Sequence, residues 1–176
     1  MSNWQQQVYG NLKPLFELLK ETLKSGPVIQ MDETQVQVMG EEGRADTQKS
    51  YMWLARGGAS GKVVVLYEYR NSRGALDAKD FLAGYSGYLQ TDGYEGYNSA
   101  LKDMPGIIHV GCFAHARRKF FEASKSTKKP QSAEEGIKHI RKLYELESRL
   151  RKEGLEESRF LSGRKAEAEP ILAAFR

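Results

Sequence analysis

Two aspartates, Asp32 and Asp92, occupy positions where strand-forming residues surround or precede them. Asp32 lies inside the run "VIQMDETQV". A carboxylate in mid-strand is disfavoured by propensity and costly if buried without a partner. Asp92 closes the run "YLQT" and is followed at once by Gly93. Taken singly, each has an ordinary reading: Asp-Gly is a common turn pair, and Asp32 could face water at a sheet edge. Brought together on neighbouring strands, they would do chemistry. Two carboxylates about 4 Å apart repel by roughly 4 kcal/mol at an effective dielectric of 20, so they must share a proton or bind a cation. Oxygen ligands with room for water suit Mg²⁺ or Mn²⁺ and not zinc. Paired ions so held serve phosphoryl transfer, activating one oxygen and stabilising another as it leaves.

The elements that would position this pair follow from periodicity. Trp4, Val8, Leu12, Leu15, Phe16, Leu19 and Leu23 form one apolar stripe and predict a helix over 3–24. Ser2 and Gln5 have capping-box spacing, and Pro14 predicts a kink or a second helix starting there. From Val28 to Arg70, "VIQMDETQVQVM", "YMWLARGG" and "KVVVLYEYR" read as three strands with polar, glycine-rich links, an antiparallel meander. The chain then alternates: helix "ALDAKDFLAG" with Gly84 near its end, strand "YLQT", helix "YNSALKDM", strand "IIHVGCF", helix "AHARRKFFEASK". Such alternation favours parallel strands with helical crossovers. The expected fold class is therefore α/β, a mixed five-stranded sheet built from a meander and then βαβ units.

After the break "STKKPQS" the pattern is helical only. Ser132 and Glu135 form a second capping-box candidate, Gly154 a stop, and Pro170 the possible start of another helix. The expected organisation is an N-terminal helical segment over 1–27, an α/β core over 28–128 and a helical subdomain over 129–176.

The 176 residues suit one domain with a small appendage, and 40% hydrophobic with 28% charged residues is ordinary for a globular chain. No apolar run approaches the roughly 20 residues that span a bilayer. The polar start "MSNWQQQVYG" lacks a signal peptide's pattern, and the single Cys112 fits a reducing cytoplasm. Between Cys112 and Lys129 lie Arg117, Arg118, Lys119, Lys125, Lys128 and Lys129 against one acid, Glu122, a local excess larger than the +4 of the whole chain. A polyanion would seek such a surface, although a solvated helix face has the same composition. Cys112 and His115 are three apart, as in half a zinc site, but the other half is missing and His109 is the only close candidate. Tyr94 and Tyr97 could stack on a base; packing of the turn is favoured.

The strings "MDETQVQVM", "YMWLARGG", "FLAGYSGYLQTDGYEGYNSAL" and "IIHVGCFAHARRKFFEA", in this order, resemble the catalytic core of the insertion-sequence-66 family transposases, and "RKLYELESRLRKEG" and "EPILAAFR" extend the likeness. The resemblance implies a ribonuclease-H-like fold of the DDE group. Asp32 and Asp92 would be its first and second acids and the ligands of Mg²⁺ or Mn²⁺. Residues 132–176 resemble the helical insertion after the fifth strand. The third acid, a glutamate on a later helix in an asparagine- and arginine-rich setting, has no match, and Glu122, Glu134, Glu135 and Glu145 lack that setting.

The resemblance further implies that His115, Arg117, Arg118 and Lys119 contact DNA beside Asp92, with Cys112, Glu33 and Thr34 supporting the site. The implied partners are double-stranded DNA, as transposon ends and target, and further copies of the full-length protein. A membrane is not implied; the implied place is a bacterial cytoplasm, at the nucleoid. Without its third acid the chain is expected to be weakly active or inactive alone, a fragment of a larger enzyme. Two alternatives stand beside it: a catalytically inactive remnant that binds DNA or a partner chain, and another ribonuclease-H-like nuclease.

Overall fold

The computed structural model describes residues 3–126 and 130–175. The chain divides into two compact units, Met1–Cys112 and Phe113–Arg176. The first unit opens with helix α1 (Asn3–Lys24) and continues through strands β1 (Val28–Gln37), β2 (Lys49–Gly57) and β3 (Val64–Arg70). Helix α2 (Ala75–Leu82), strand β4 (Gly87–Thr91), helix α3 (Glu95–Leu101) and strand β5 (Ile107–Gly111) follow. The sheet order is β3-β2-β1-β4-β5. β1, β2 and β3 pair antiparallel, while β4 runs parallel to both β1 and β5. This is the mixed sheet expected from the meander and the alternation after it. The fourth strand lies beside the first because a helical crossover returns the chain to the free edge of β1.

Alternation along the strands separates the two faces. Ile29 and Met31 of β1, Trp53 and Ala55 of β2, Val64 and Leu66 of β3 and Leu89 of β4 are buried together with Phe81 and Leu82 of α2 and Tyr97 and Ala100 of α3. α1 adds Leu23, with Phe16 and Leu19 packed against the same cluster. Each large side chain so buried contributes roughly 1.5–3 kcal/mol relative to exposure. The alternate positions Val28, Val65, Tyr67, Tyr69, Tyr88 and Ile108 are exposed.

Only the C-terminal end of the α1 stripe is covered: Trp4, Val8, Leu12 and Leu15 are exposed. Periodicity identifies an apolar face but not the length over which a partner covers it. Of the kink or second helix expected at Pro14, the second helix is not formed: α1 is one helix with Pro14 inside it. The carbonyl of Gly10, which loses its amide donor to the proline, lies on an exposed turn where water can serve it. The Ser2 capping box lies outside the described residues.

The second unit is helical: α4 (Phe113–Ser126), α5 (Gln131–Lys152) and α6 (Glu157–Phe175). α4 and α6 both pack on α5. A Cβ at Gly136 of α5 would meet the ring of Phe120 at 2.7 Å, so a side chain there would push α4 away. Phe175 packs against Phe113, Phe120 and His139. Arg149 pairs with Glu167, and Arg164 with Glu147 at 2.9 Å, across α5 and α6.

α4 belongs with α5 and α6 to the unit that begins at Phe113; the aromatic contacts of Phe113 and Phe120 with Phe175 are invisible to local pattern. Two expectations for this part change. α5 starts after Pro130 without a side-chain cap, and Glu135 pairs instead with Lys138. α6 runs through Pro170 on an exposed stretch where a new start was expected. Gly154 does follow the end of α5, in left-handed backbone with φ +61°.

Candidate active site

Asp32 sits in β1 opposite Leu54 of β2. On its other side, β1 is in register with β4 through Val28 with Tyr88, Ile29 with Leu89 and Gln30 with Gln90. The pairing ends there; Asp32 lies two residues further along inside β1, and Asp92 two residues further along, just after β4. The side chains at the last paired position already touch: Gln30 Nε2 donates to Gln90 Oε1 at 2.5 Å. Arg56 of β2 donates to Gln30 Oε1 at 2.9 Å, extending the polar row over three strands. Gln30 and Asp32 share the face of β1 opposite the buried Ile29 and Met31.

Asp92 is both a turn residue and a charged partner. Its Oδ1 accepts from the Tyr94 amide at 3.0 Å, an Asx turn into α3. Its Oδ2 accepts from Arg73 at 3.0 Å. Asp32 Oδ1 accepts from the Glu33 amide at 3.0 Å.

Arg73, in the link between β3 and α2, was not singled out from the sequence. Its Nε donates to Glu33 Oε2 at 2.8 Å, and its guanidinium lies 3.8 Å from the centre of the Tyr94 ring. The Glu33 side chain is wholly buried on the core side of β1. Its other oxygen accepts from the Tyr97 hydroxyl, whose ring packs edge-on against Trp53. Burial pushes the Glu33 carboxyl above its ordinary range, against the opposing pull of the Tyr97 hydrogen bond and the Arg73 charge. Burial and the nearby Glu33 raise the Tyr97 hydroxyl strongly, so it remains a donor. Burial works against the charge on Arg73, but Glu33 and Asp92 outweigh it and hold the guanidinium above its usual value.

Tyr97 is therefore a packed core residue, as favoured, with a polar tip fixed on Glu33. Glu33 is linked to Asp92 through Arg73. Thr34 lies in β1 opposite Met52 and is exposed. Cys112 follows β5, and its amide donates to Thr91 at 3.0 Å. His109, the nearest partner considered for a zinc set, bonds through Nε2 to Thr91 Oγ1 at 2.7 Å. Among the described residues no three His, Cys, Asp or Glu side chains gather as a metal-ligand set.

His115, Arg117, Arg118 and Lys119 belong to α4 in the second unit, with the three basic residues exposed. Lys119 lies 4.0 Å from Glu122. Lys128 and Lys129 of the same basic run lie outside the described residues. Arg73 carried no sequence signal: an arginine in the polar turn "NSRG" has no periodic or motif partner, and only the fold brings it to Glu33 and Asp92.

Comparison with known proteins decides the family. The model of the IS66 family of transposases matches residues 1–176. The chain belongs to that family. It is similar to three proteins of Sinorhizobium fredii (strain NBRC 101917 / NGR234). It is 32% identical to Uncharacterized protein y4qI over 86% of this chain and 30% of that one. Identity to Uncharacterized protein y4jD is 28%, over 96% and 34% of the two chains. For Uncharacterized protein y4hP it is 29%, over 91% and 32%. The IS66-family chain thus spans about a third of the length of these curated relatives. Among solved structures, it has a slight likeness to a chain of the cryoEM structure of the simian T-cell lymphotropic virus intasome in complex with PP2A regulatory subunit B56 gamma. That match has a TM-score of 0.37 and 11% identity over 65% of this chain and 48% of that one, too little to carry the fold. No helix of the described residues is long and apolar enough to cross a membrane.

Proposed function

We propose that this chain is part of the catalytic core of a DNA transposase with a ribonuclease-H-like fold, in which Asp32 and Asp92 hold a divalent cation. The observation that supports this reading is the parallel pairing of β1 with β4, the strand that carries Asp32 and the strand that Asp92 follows, in a chain of a transposase family. The donor set fits the ion: carboxylate oxygens suit Mg²⁺ or Mn²⁺. When bound, such a cation activates an attacking oxygen and neutralises charge on a phosphodiester.

The protein residues then have separate tasks. Asp32, inside β1, and Asp92, just after β4, would supply the negative charge that gathers the cation. The Asx turn of Asp92 onto Tyr94 and the bond from Arg73 keep its carboxylate from swinging. Water, and later a freed 3′-hydroxyl, would attack the phosphodiester in line, without a covalent protein intermediate. Arg117, Arg118 and Lys119 would hold the DNA backbone by phosphate contacts that carry no sequence information.

The test is metal-dependent nicking of transposon-end DNA by the full-length protein carrying this chain. Nicking that needs Mg²⁺ or Mn²⁺ and is lost in Asp32→Asn and Asp92→Asn supports the reading. Nicking that survives both substitutions sinks it.

A second reading, a remnant that binds DNA without cutting it, is favoured by one observation: no third acid joins Asp32 and Asp92 among the described residues. DNA binding by the full-length protein with no nicking under any divalent ion would select it.

A further inference from the structure

Arg73 joins parts of the first unit that are far apart in sequence. Its guanidinium donates through Nε to Glu33 of β1 and through a terminal nitrogen to Asp92 after β4, while stacking on Tyr94 at 3.8 Å. Glu33 cannot follow a moving arginine, because its side chain is wholly buried and its second oxygen is bonded to the Tyr97 hydroxyl on α3. The direction of force therefore runs one way: Tyr97 fixes Glu33, Glu33 aims the guanidinium, and the guanidinium sets the Asp92 carboxylate. A planar guanidinium offers several donors in a rigid fork, so it can bridge two carboxylates at fixed angles where a lysine ammonium acts as a point charge.

We propose that Arg73 is the positioning residue of Asp92, an outer partner that orients the carboxylate for the divalent cation of the proposed active site. The proposal rests on the assignment of Asp32 and Asp92 as cation ligands. It differs from the simpler view in which a cation near Asp92 merely competes with the metal, because the two predict opposite signs. A positioning arginine raises metal affinity despite its charge; a competing one lowers it.

The experiment is Mn²⁺ binding to the full chain, followed by electron paramagnetic resonance of the free ion and by titration calorimetry. Asp32→Asn and Asp92→Asn come first. If neither changes the affinity, the cation assignment itself fails, and Arg73 has nothing to position. If both weaken binding, Arg73→Ala is expected to weaken it about tenfold or more, the range found when outer partners of metal ligands are removed. Arg73→Lys is expected to remain weakened, because its charge is kept and its fork is lost.

Binding by Arg73→Ala that is unchanged or tighter overturns the proposal, and so does full recovery in Arg73→Lys. Thermal unfolding is recorded on each variant. Should the alanine variant not fold, Arg73→Gln replaces it, with a planar amide that reaches one carboxylate but not both, and the same weakening is expected. As a control for a merely structural loss, Leu66→Val, in the core of β3, is expected to unfold at lower temperature with Mn²⁺ affinity unchanged.

Discussion

Gln30 and Gln90 hydrogen-bond side chain to side chain across β1 and β4, Nε2 to Oε1 at 2.5 Å. Two residues beyond each stands an aspartate, Asp32 inside β1 and Asp92 just after β4. A cation that binds only the folded pair stabilises the fold by mass action, by about 2.7 kcal/mol at a hundred times its dissociation constant. Mn²⁺ should therefore raise the unfolding temperature, a chelator should reverse the rise, and Asp92→Asn should abolish it. A rise of equal size in Asp92→Asn would place the ion elsewhere.

The apolar stripe of α1 is covered at one end only. Leu23 is wholly buried against the sheet, and Leu12 is 54% exposed. Leu23→Ala should cost about 2–5 kcal/mol in urea unfolding. Leu12→Ala should stay within about 0.5 kcal/mol of the parent. Equal losses would mean that both ends are packed alike.

Gly58 follows β2 with φ +106°, and a Cβ there would meet the carbonyl oxygen of Lys62 at 2.2 Å. Gly58→Ala should destabilise by at least about 1–3 kcal/mol, the cost of such backbone in a non-glycine residue. Gly10 is the counter-case, a mid-helix glycine with open space where its Cβ would be. Gly10→Ala should stabilise by up to about 1 kcal/mol. The two midpoints should move in opposite directions.

Tyr97→Phe keeps the ring against Trp53 but removes the hydroxyl that donates to the buried Glu33. A hydrogen bond to a charged group contributes about 1.5–3 kcal/mol, and equilibrium unfolding of this variant should show a loss of that size. No measurable change would mean that Arg73 alone satisfies Glu33.

Arg117 and Arg118 are exposed on α4. If they lie on the DNA backbone, each change to glutamine should weaken binding about equally on any sequence. The plot of log affinity against log salt should also become shallower by about one for each. An unaltered slope in both variants would remove α4 from the interface.

Much of this protein was legible in local pattern. The period-two runs of β1 and β3 and the period-three-and-four stripe of α1 predicted their elements, because burial of one face repeats at the element's own pitch. The strand that ends just before Asp92 was readable for the same reason, and the order of long motif strings identified the family. Asp32 was conspicuous because a carboxylate among strand residues needs a purpose.

What the tertiary structure alone decided was who meets whom. The register that aligns Gln30 with Gln90, the seat of Arg73 between Glu33 and Asp92, and the closure of Phe113 and Phe120 on Phe175 join residues from 19 to 62 positions apart. Nothing in a local window encodes such pairings, since a turn arginine and a core phenylalanine look the same with or without their partners. Pro14 and Pro170 show the converse: a residue that ends a helix by local rule stayed inside one because the affected turns lie open to water. Sequence set the periodicities and the chemistry available; the folded chain chose which two carboxylates share the Arg73 guanidinium.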